Sequence, residues 1–150
     1  MLVWRIAREK YAETALTGFG AMQRGGRWNS RGIPIVYASS SRALALLEML
    51  VHIDRDQAPL DFENYRLDVP DDAITVVPNL PDDWDASPPP AADRAIGDAW
   101  KVRGETLALL VPSVVVPQEM NALINPAHAR FAEITVKADG RVNIDPRLLG

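Results

Sequence analysis

Five consecutive residues, Gly25-Gly26-Arg27-Trp28-Asn29, place two glycines, a guanidinium, an indole and an amide side by side. Adjacent glycines let a backbone take positive φ and approach another group closely. An arginine offers a planar fork of donors that suits phosphate. An indole is a large flat surface with one donor. The stretch suits a loop that holds something anionic and flat; its plain alternative is a surface turn with a tryptophan tucked into the core. The other polar candidates fall at turns and strand ends: Arg5, Tyr37, Ser39, Glu48, Ser113 and Asn125.

One reaction uses most of this set. Arginine neutralises a diphosphate, aromatic rings stack on flat rings, and a glutamate bonds ribose hydroxyls and stabilises positive charge on a sugar. Those are the needs of breaking the bond between nicotinamide and ribose. The sugar becomes oxocarbenium-like in the transition state, so a fixed carboxylate lowers the barrier. The nicotinamide is cationic beforehand and departs neutral, so no general acid is required. Other chemistries fit less well. Ser113 could join His52 or His128 in a Ser–His–Asp arrangement, but no G-x-S-x-G elbow is present. Clusters with recognised metal-ligand spacing are also missing, so no metal is expected.

The elements that must position these groups are legible in outline. Leu2–Ile6 reads as an opening strand, with Arg5 on one of its faces. Residues 11–30 carry four glycines with little periodicity and read as a long ordered loop. Ile33–Ala38 reads as a strand, and one of Ser39, Ser40 and Ser41 should cap the helix that follows. That helix, from about Arg42 to Ile53, is apolar around most of its circumference, which predicts burial. Its narrow polar stripe holds Ser41, Glu48 and His52. A carboxylate in such company must face water, a cleft or a partner. Asn64–Val69 and Ile74–Val77 read as strands. Pro78–Pro90 reads as an extended surface connection pinned by Trp84. Ala91–Arg103 reads as a helix stopped by Gly104. Thr106–Val111 reads as a strand and Gln118–Ile124 as one or two helical turns. Phe131–Lys137 and Arg141–Ile144 read as a terminal hairpin turning at Asp139-Gly140.

Composition bounds the whole. The chain has 150 residues, 47% hydrophobic and 24% charged, the profile of one globular domain, residues 1–150, with a sizeable core. A formal charge of −4 weighs against direct nucleic-acid binding. Cysteine is absent, which excludes disulfides and thiolate zinc sites. No signal peptide or membrane-spanning run is evident, so a cytoplasmic protein is expected.

The motifs Trp4-Arg5-Ile6, Gly25–Asn29, Val36-Tyr37-Ala38-Ser39, Ala45-Leu46-Leu47-Glu48 and Val111-Pro112-Ser113, continued by Asn121 and Asn125-Pro126, resemble the RES-domain family, named for its Arg, Glu and Ser. The resemblance covers nearly the whole chain. It implies an α+β fold similar to ADP-ribosyltransferases of the diphtheria-toxin kind, a split mixed sheet with flanking helices around an NAD cleft. It implies a toxin of a bacterial toxin–antitoxin pair that consumes NAD+ as substrate by hydrolysis, phosphorolysis or ADP-ribose transfer, without a prosthetic group. The partner it implies is an Xre-like antitoxin that blocks the cleft. Carried over by motif, Arg27, Glu48 and Tyr37 would be catalytic, and Arg5, Arg27, Trp28, Tyr37, Ser39 and Ser113 would hold NAD+. The competing readings are a nucleotide- or protein-binding module of the same fold without turnover, and an RNA-cleaving toxin. The acidic charge disfavours the latter.

Overall fold

A computed structural model describes residues 1–53 and 61–150. Seven strands form one sheet in the order β4-β5-β6-β2-β1-β3-β7. They are β1 (Leu2–Arg8), β2 (Val36–Ser39), β3 (Phe62–Asp68), β4 (Ile74–Val76), β5 (Ala108–Pro112), β6 (Met120–Ile124) and β7 (Thr135–Arg141). The helices are α1 (Phe19–Arg24), α2 (Arg42–Leu50) and α3 (Ala91–Arg103). Among the described strands only β4 and β5 run parallel. α3 lies between them in the chain, and parallel neighbours need such a crossover.

The sheet is two ribbons joined at one place. β1 pairs with β3 over its whole length, from Leu2↔Asp68 to Arg8↔Phe62. β2 pairs with β6 from Val36↔Ile124 to Ser39↔Asn121. Between β1 and β2 the one paired position is Trp4↔Ser39. Beyond it the strands part, which is the split that the resemblance implies.

Alternation along the strands sorts side chains onto two faces. Val36, Ala38, Ala108, Ala122 and Ile124 join Val3 and Leu67 in one core. Ile35, Leu109, Val111 and Leu123 join Trp28 and Trp100 in the other. Sheets covered on both faces read as continuous apolar runs, as Ala108–Val111 does. Tyr37 and Ser39 alternate out of the first core and share the face of the second.

Several expectations hold. Ser41 caps α2, its hydroxyl accepting from the Leu44 amide at 3.0 Å. α3 spans Ala91–Arg103 and ends at Gly104 with φ 61°. Trp84 packs against the second core. Others are corrected. Residues 11–30 are not all loop: α1 and part of a 3-10 turn at Glu9–Thr14 lie there. Gln118–Ile124 is not helical, because Met120–Ile124 is a strand paired on both sides. The terminal hairpin is replaced by one strand, β7, which runs through Asp139-Gly140 and pairs with β3. α2 ends at Leu50, and of its residues only Leu44 and Ala45 are buried. It packs on β1 and β2 from one side, while Leu47 and Val51 stay exposed.

Candidate active site

α2 carries its single carboxylate back toward β6. Ser41, at the cap, donates to Glu119 Oε2 at 2.7 Å. Seven residues later and on the same helix face, Glu48 meets two donors. Its Oε1 accepts from the Ser113 hydroxyl at 2.7 Å and from Asn121 Nδ2 at 2.6 Å. Asn121 is itself oriented by Ser39, whose hydroxyl donates to Asn121 Oδ1 at 2.8 Å. The β2–β6 register puts Ser39 opposite Asn121, so the bond follows from strand pairing. Ser113 is fully buried, and its oxygen accepts from the Val115 and Val116 amides at 3.0 Å each. Ser113 and Asn121 each direct one donor at the same glutamate oxygen. Glu48 is half-buried, and its Oε2 takes no partner among the described residues. The result is a carboxylate fixed at one atom and free at the other.

Tyr37 leads from this network to the glycine stretch. It precedes Ser39 by two residues on the same face of β2. Its hydroxyl donates to Asn29 Oδ1 at 2.7 Å and accepts from the Trp28 amide at 3.3 Å. Burial pushes the phenol's pKa up, so it remains a protonated donor at neutral pH. Asn29, fully buried, donates to the Ala21, Ser30 and Ile33 carbonyls. A Cβ on Gly26 would lie 2.8 Å from both Asn29 Oδ1 and the Tyr37 hydroxyl. Glycine is therefore needed there for close approach.

The two arginines occupy different settings. Arg5 sits where β1 and β2 part. Its Nε donates to the Ala15 carbonyl at 2.6 Å and its Nη1 to the Tyr37 carbonyl at 2.7 Å. Nη2 has no described partner, and no carboxylate pairs with the group. Burial pulls its pKa down to about 10, which leaves it a cation at neutral pH with uncompensated charge. Arg27 reaches into the 78–90 connection. Its Nη1 donates to the Trp84 carbonyl at 2.6 Å and to Asp93 Oδ2 at 3.2 Å, and its Nη2 to the Ala86 carbonyl at 3.0 Å. Asp93 is fully buried, and its Oδ1 has no hydrogen-bond partner. Trp28 is 3% exposed within the second core, and its carbonyl lies against Gly97 of α3. Its indole anchors the loop.

The structure thus brings together Ser39, Glu48 and Ser113, links Arg5 and Tyr37 to them through β2, and holds Arg27 and Trp28 on the far side of Tyr37. Asn125 closes a local turn, accepting from the Ala127 amide at 3.0 Å. Neither histidine reaches Ser113: His52 is exposed, and His128 Nδ1 accepts from the Arg130 amide. Among the described residues no group of three His, Asp or Glu side chains could hold a metal ion. Asn121 belongs to the motifs that carry the family resemblance but has no site role assigned from sequence, and its contact with Glu48 follows only once Met120–Ile124 is a strand. Asp93 has no sequence signal.

A split mixed sheet with a clamped carboxylate beside the split defines the class of protein. The family model described as RES domain matches residues 2–145, and the chain belongs to the RES domain family. It is 42% identical over 153 residues to the Prs ADP-ribosylating toxin of Sphingobium sp. (strain YBL2), covering 97% of this chain and 95% of that one. It is 40% identical to Toxin Res of Photorhabdus laumondii subsp. laumondii, covering 87% and 85%. Among solved structures it is similar to the M. tuberculosis MbcT-MbcA toxin-antitoxin complex, with a TM-score of 0.74 at 19% identity over 99% of this chain and 86% of that one. That likeness shows the fold.

Proposed function

We propose that this chain is the toxin of a toxin–antitoxin pair and that it consumes NAD+ by cleaving the nicotinamide–ribose bond. The observation that carries the reading is Glu48, with Oε1 clamped by Ser113 and Asn121 and Oε2 free. A carboxylate so fixed needs no reorganisation when positive charge develops on a sugar, the condition under which such a group is most effective. As the C–N bond breaks, its electron pair passes to the nicotinamide nitrogen. The positive charge moves to the ribose, where Oε2 opposes it. The acceptor oxygen then bonds to the anomeric carbon and releases its proton. With water as acceptor the products are ADP-ribose, nicotinamide and a proton.

Arg5 supports an anionic substrate, because a desolvated cation without a carboxylate gains most from one. Arg27 would add to the diphosphate contact by exchanging the Trp84 and Ala86 carbonyls for phosphate oxygens. Tyr37 and Ser39 would line the path between Arg27 and Glu48, and Trp28 acts through the loop it anchors. The relative from Sphingobium, named for ADP-ribosylating Prs, supports a protein acceptor beside water and phosphate. The toxin–antitoxin complex among the structural neighbours supports a partner protein, which we take to be an Xre-like antitoxin that occludes the cleft. An NAD+-consuming toxin would meet its substrate in the cytoplasm, which we take as its site of action. No helix of the described residues is long and apolar enough to cross a membrane.

Purified chain is incubated with NAD+, with and without phosphate and host lysate, and the products are identified by mass. Release of nicotinamide together with ADP-ribose, its phosphorylated form or an ADP-ribosylated protein is expected. Unchanged NAD+ in all arms rejects the proposal and leaves a binding module.

A further inference from the structure

Apart from the Glu48 network, the surface holds a hollow of about 270 Å³ against the Gly25–Gly26 turn. Arg24, Arg31 and Arg94 line it together with Gly25, Gly26 and Asn29. The three arginines come from separate places: the end of α1, the segment after the Gly26↔Asn29 bridge, and the first turn of α3. Their convergence is a product of the tertiary fold in a chain of formal charge −4.

Among the described residues none of the three forms an ion pair with a carboxylate. Arg94 Nη1 reaches the Pro89 carbonyl at 3.4 Å, and Arg24 and Arg31 make no side-chain hydrogen bond. Two carboxylates lie close by, and neither is within ion-pair distance of the three arginines. Asp98 accepts from the Ser30 amide at 2.9 Å and from its hydroxyl at 2.5 Å, and Asp93 pairs with Arg27. The wall is also fixed. Gly25 has φ 71°, Gly26 leaves no room for a side chain, and Asn29 is tied by its amide to three carbonyls.

We propose that this hollow binds a phosphate or diphosphate group. Guanidinium forks match phosphate oxygens bidentately, and three of them around one concavity outnumber the Asp98 and Asp93 carboxylates beside it, the second of which is paired with Arg27. The volume lies just below the ~300 Å³ at which small-molecule sites begin. It therefore takes the phosphate end of a ligand whose remainder lies outside. Two sources share this chemistry: the dinucleotide itself, or a second phosphorylated molecule such as an acceptor. The site does not depend on NAD+ cleavage, and it is separate from Arg5 and Arg27, which are engaged elsewhere.

The test is calorimetric titration of the whole chain with inorganic pyrophosphate, in the parent and in the triple variant Arg24→Gln, Arg31→Gln, Arg94→Gln. Two of these side chains are exposed and the third half-buried, so the variant should fold, and its thermal midpoint checks that it does. Saturable binding by the parent, weakened about tenfold or more in the variant, is the expected result. A second arm repeats the titration with saturating ADP-ribose. Competition assigns the phosphate to the dinucleotide, and undiminished pyrophosphate binding assigns it to a second molecule. Absence of saturable binding in the parent, or equal binding in a folded triple variant, overturns the proposal. A parent that binds pyrophosphate but leaves NAD+ intact would refute the proposed function and not this site.

Discussion

At Glu48 two donors converge on one carboxylate oxygen, and this geometry sets what a substitution should do. Glu48→Gln keeps an oxygen that can accept from Ser113 and Asn121, so the thermal midpoint should stay near that of the parent. It removes the negative charge, and NAD+ turnover should fall by about two orders of magnitude or more. Near-parent turnover in this variant would rule out the electrostatic role. Asp93 offers a test of a different kind. Burial pushes its pKa above the ordinary 3.8, against the pull of the Arg27 hydrogen bond. A raised folded value means that the folded chain keeps a proton which the unfolded chain has already released. Stability from this group is thus present at low pH and is lost as pH rises through the window above 3.8. The stability of the parent relative to Asp93→Asn should therefore decline as the pH is raised above 3.8. Melts of both proteins across that range check it, and a constant difference would mean that Asp93 is not raised.

α3 shows what an element can reveal before its neighbours are known. Its apolar spacing, the prolines before it and Gly104 after it are all local signals, and they place it correctly. The strand β6 shows the opposite case. Met-Asn-Ala-Leu-Ile has no strict alternation, and it becomes a strand because β5 and β2 offer pairing on both sides. α2 differs again: its sequence is apolar enough for burial all round, yet the fold covers one side only. At the junction of α3 with the glycine loop, a Cβ on Gly97 would lie 1.8 Å from the Trp28 carbonyl oxygen. Backbone cannot yield cheaply there. Gly97→Ala should cost about 3 kcal/mol, a fall in thermal midpoint of roughly 6 °C or more. It should also disturb the Tyr37–Asn29 contact that the same loop provides. A variant that melts with the parent would show that helix and loop shift freely.

On the scale of the molecule, the two ribbons of the sheet meet at Trp4↔Ser39, and Arg5 spans the opening beyond it by donating to the Tyr37 carbonyl. A ligand held in that opening binds both halves of the folded state. ADP-ribose at about a hundred times its dissociation constant should add ~2.7 kcal/mol, roughly 5–11 °C in midpoint. Amide exchange should slow in β1 and β2 together. Protection in one ribbon only, or an unchanged midpoint, would place the ligand elsewhere.

Chemical identity was legible from the chain alone. Arg5, Arg27, Tyr37, Ser39, Glu48 and Ser113 stand in motifs of residue type and order, and the family followed from them, because such motifs are local and survive without coordinates. The strands β1, β2, β3 and β5 and the helix α3 were legible too, since periodicity and capping act over a few residues. What the tertiary structure decided is long-range. Ser39, Glu48, Ser113 and Asn121 lie up to 82 positions apart in the chain and meet through strand register. The Arg27 fork closes on Trp84, Ala86 and Asp93, a pairing that no spacing encodes. Three arginines share one hollow because α1, the glycine turn and α3 pack together. Each of these depends on the burial and pairing of distant segments, which residue order constrains only through the finished fold.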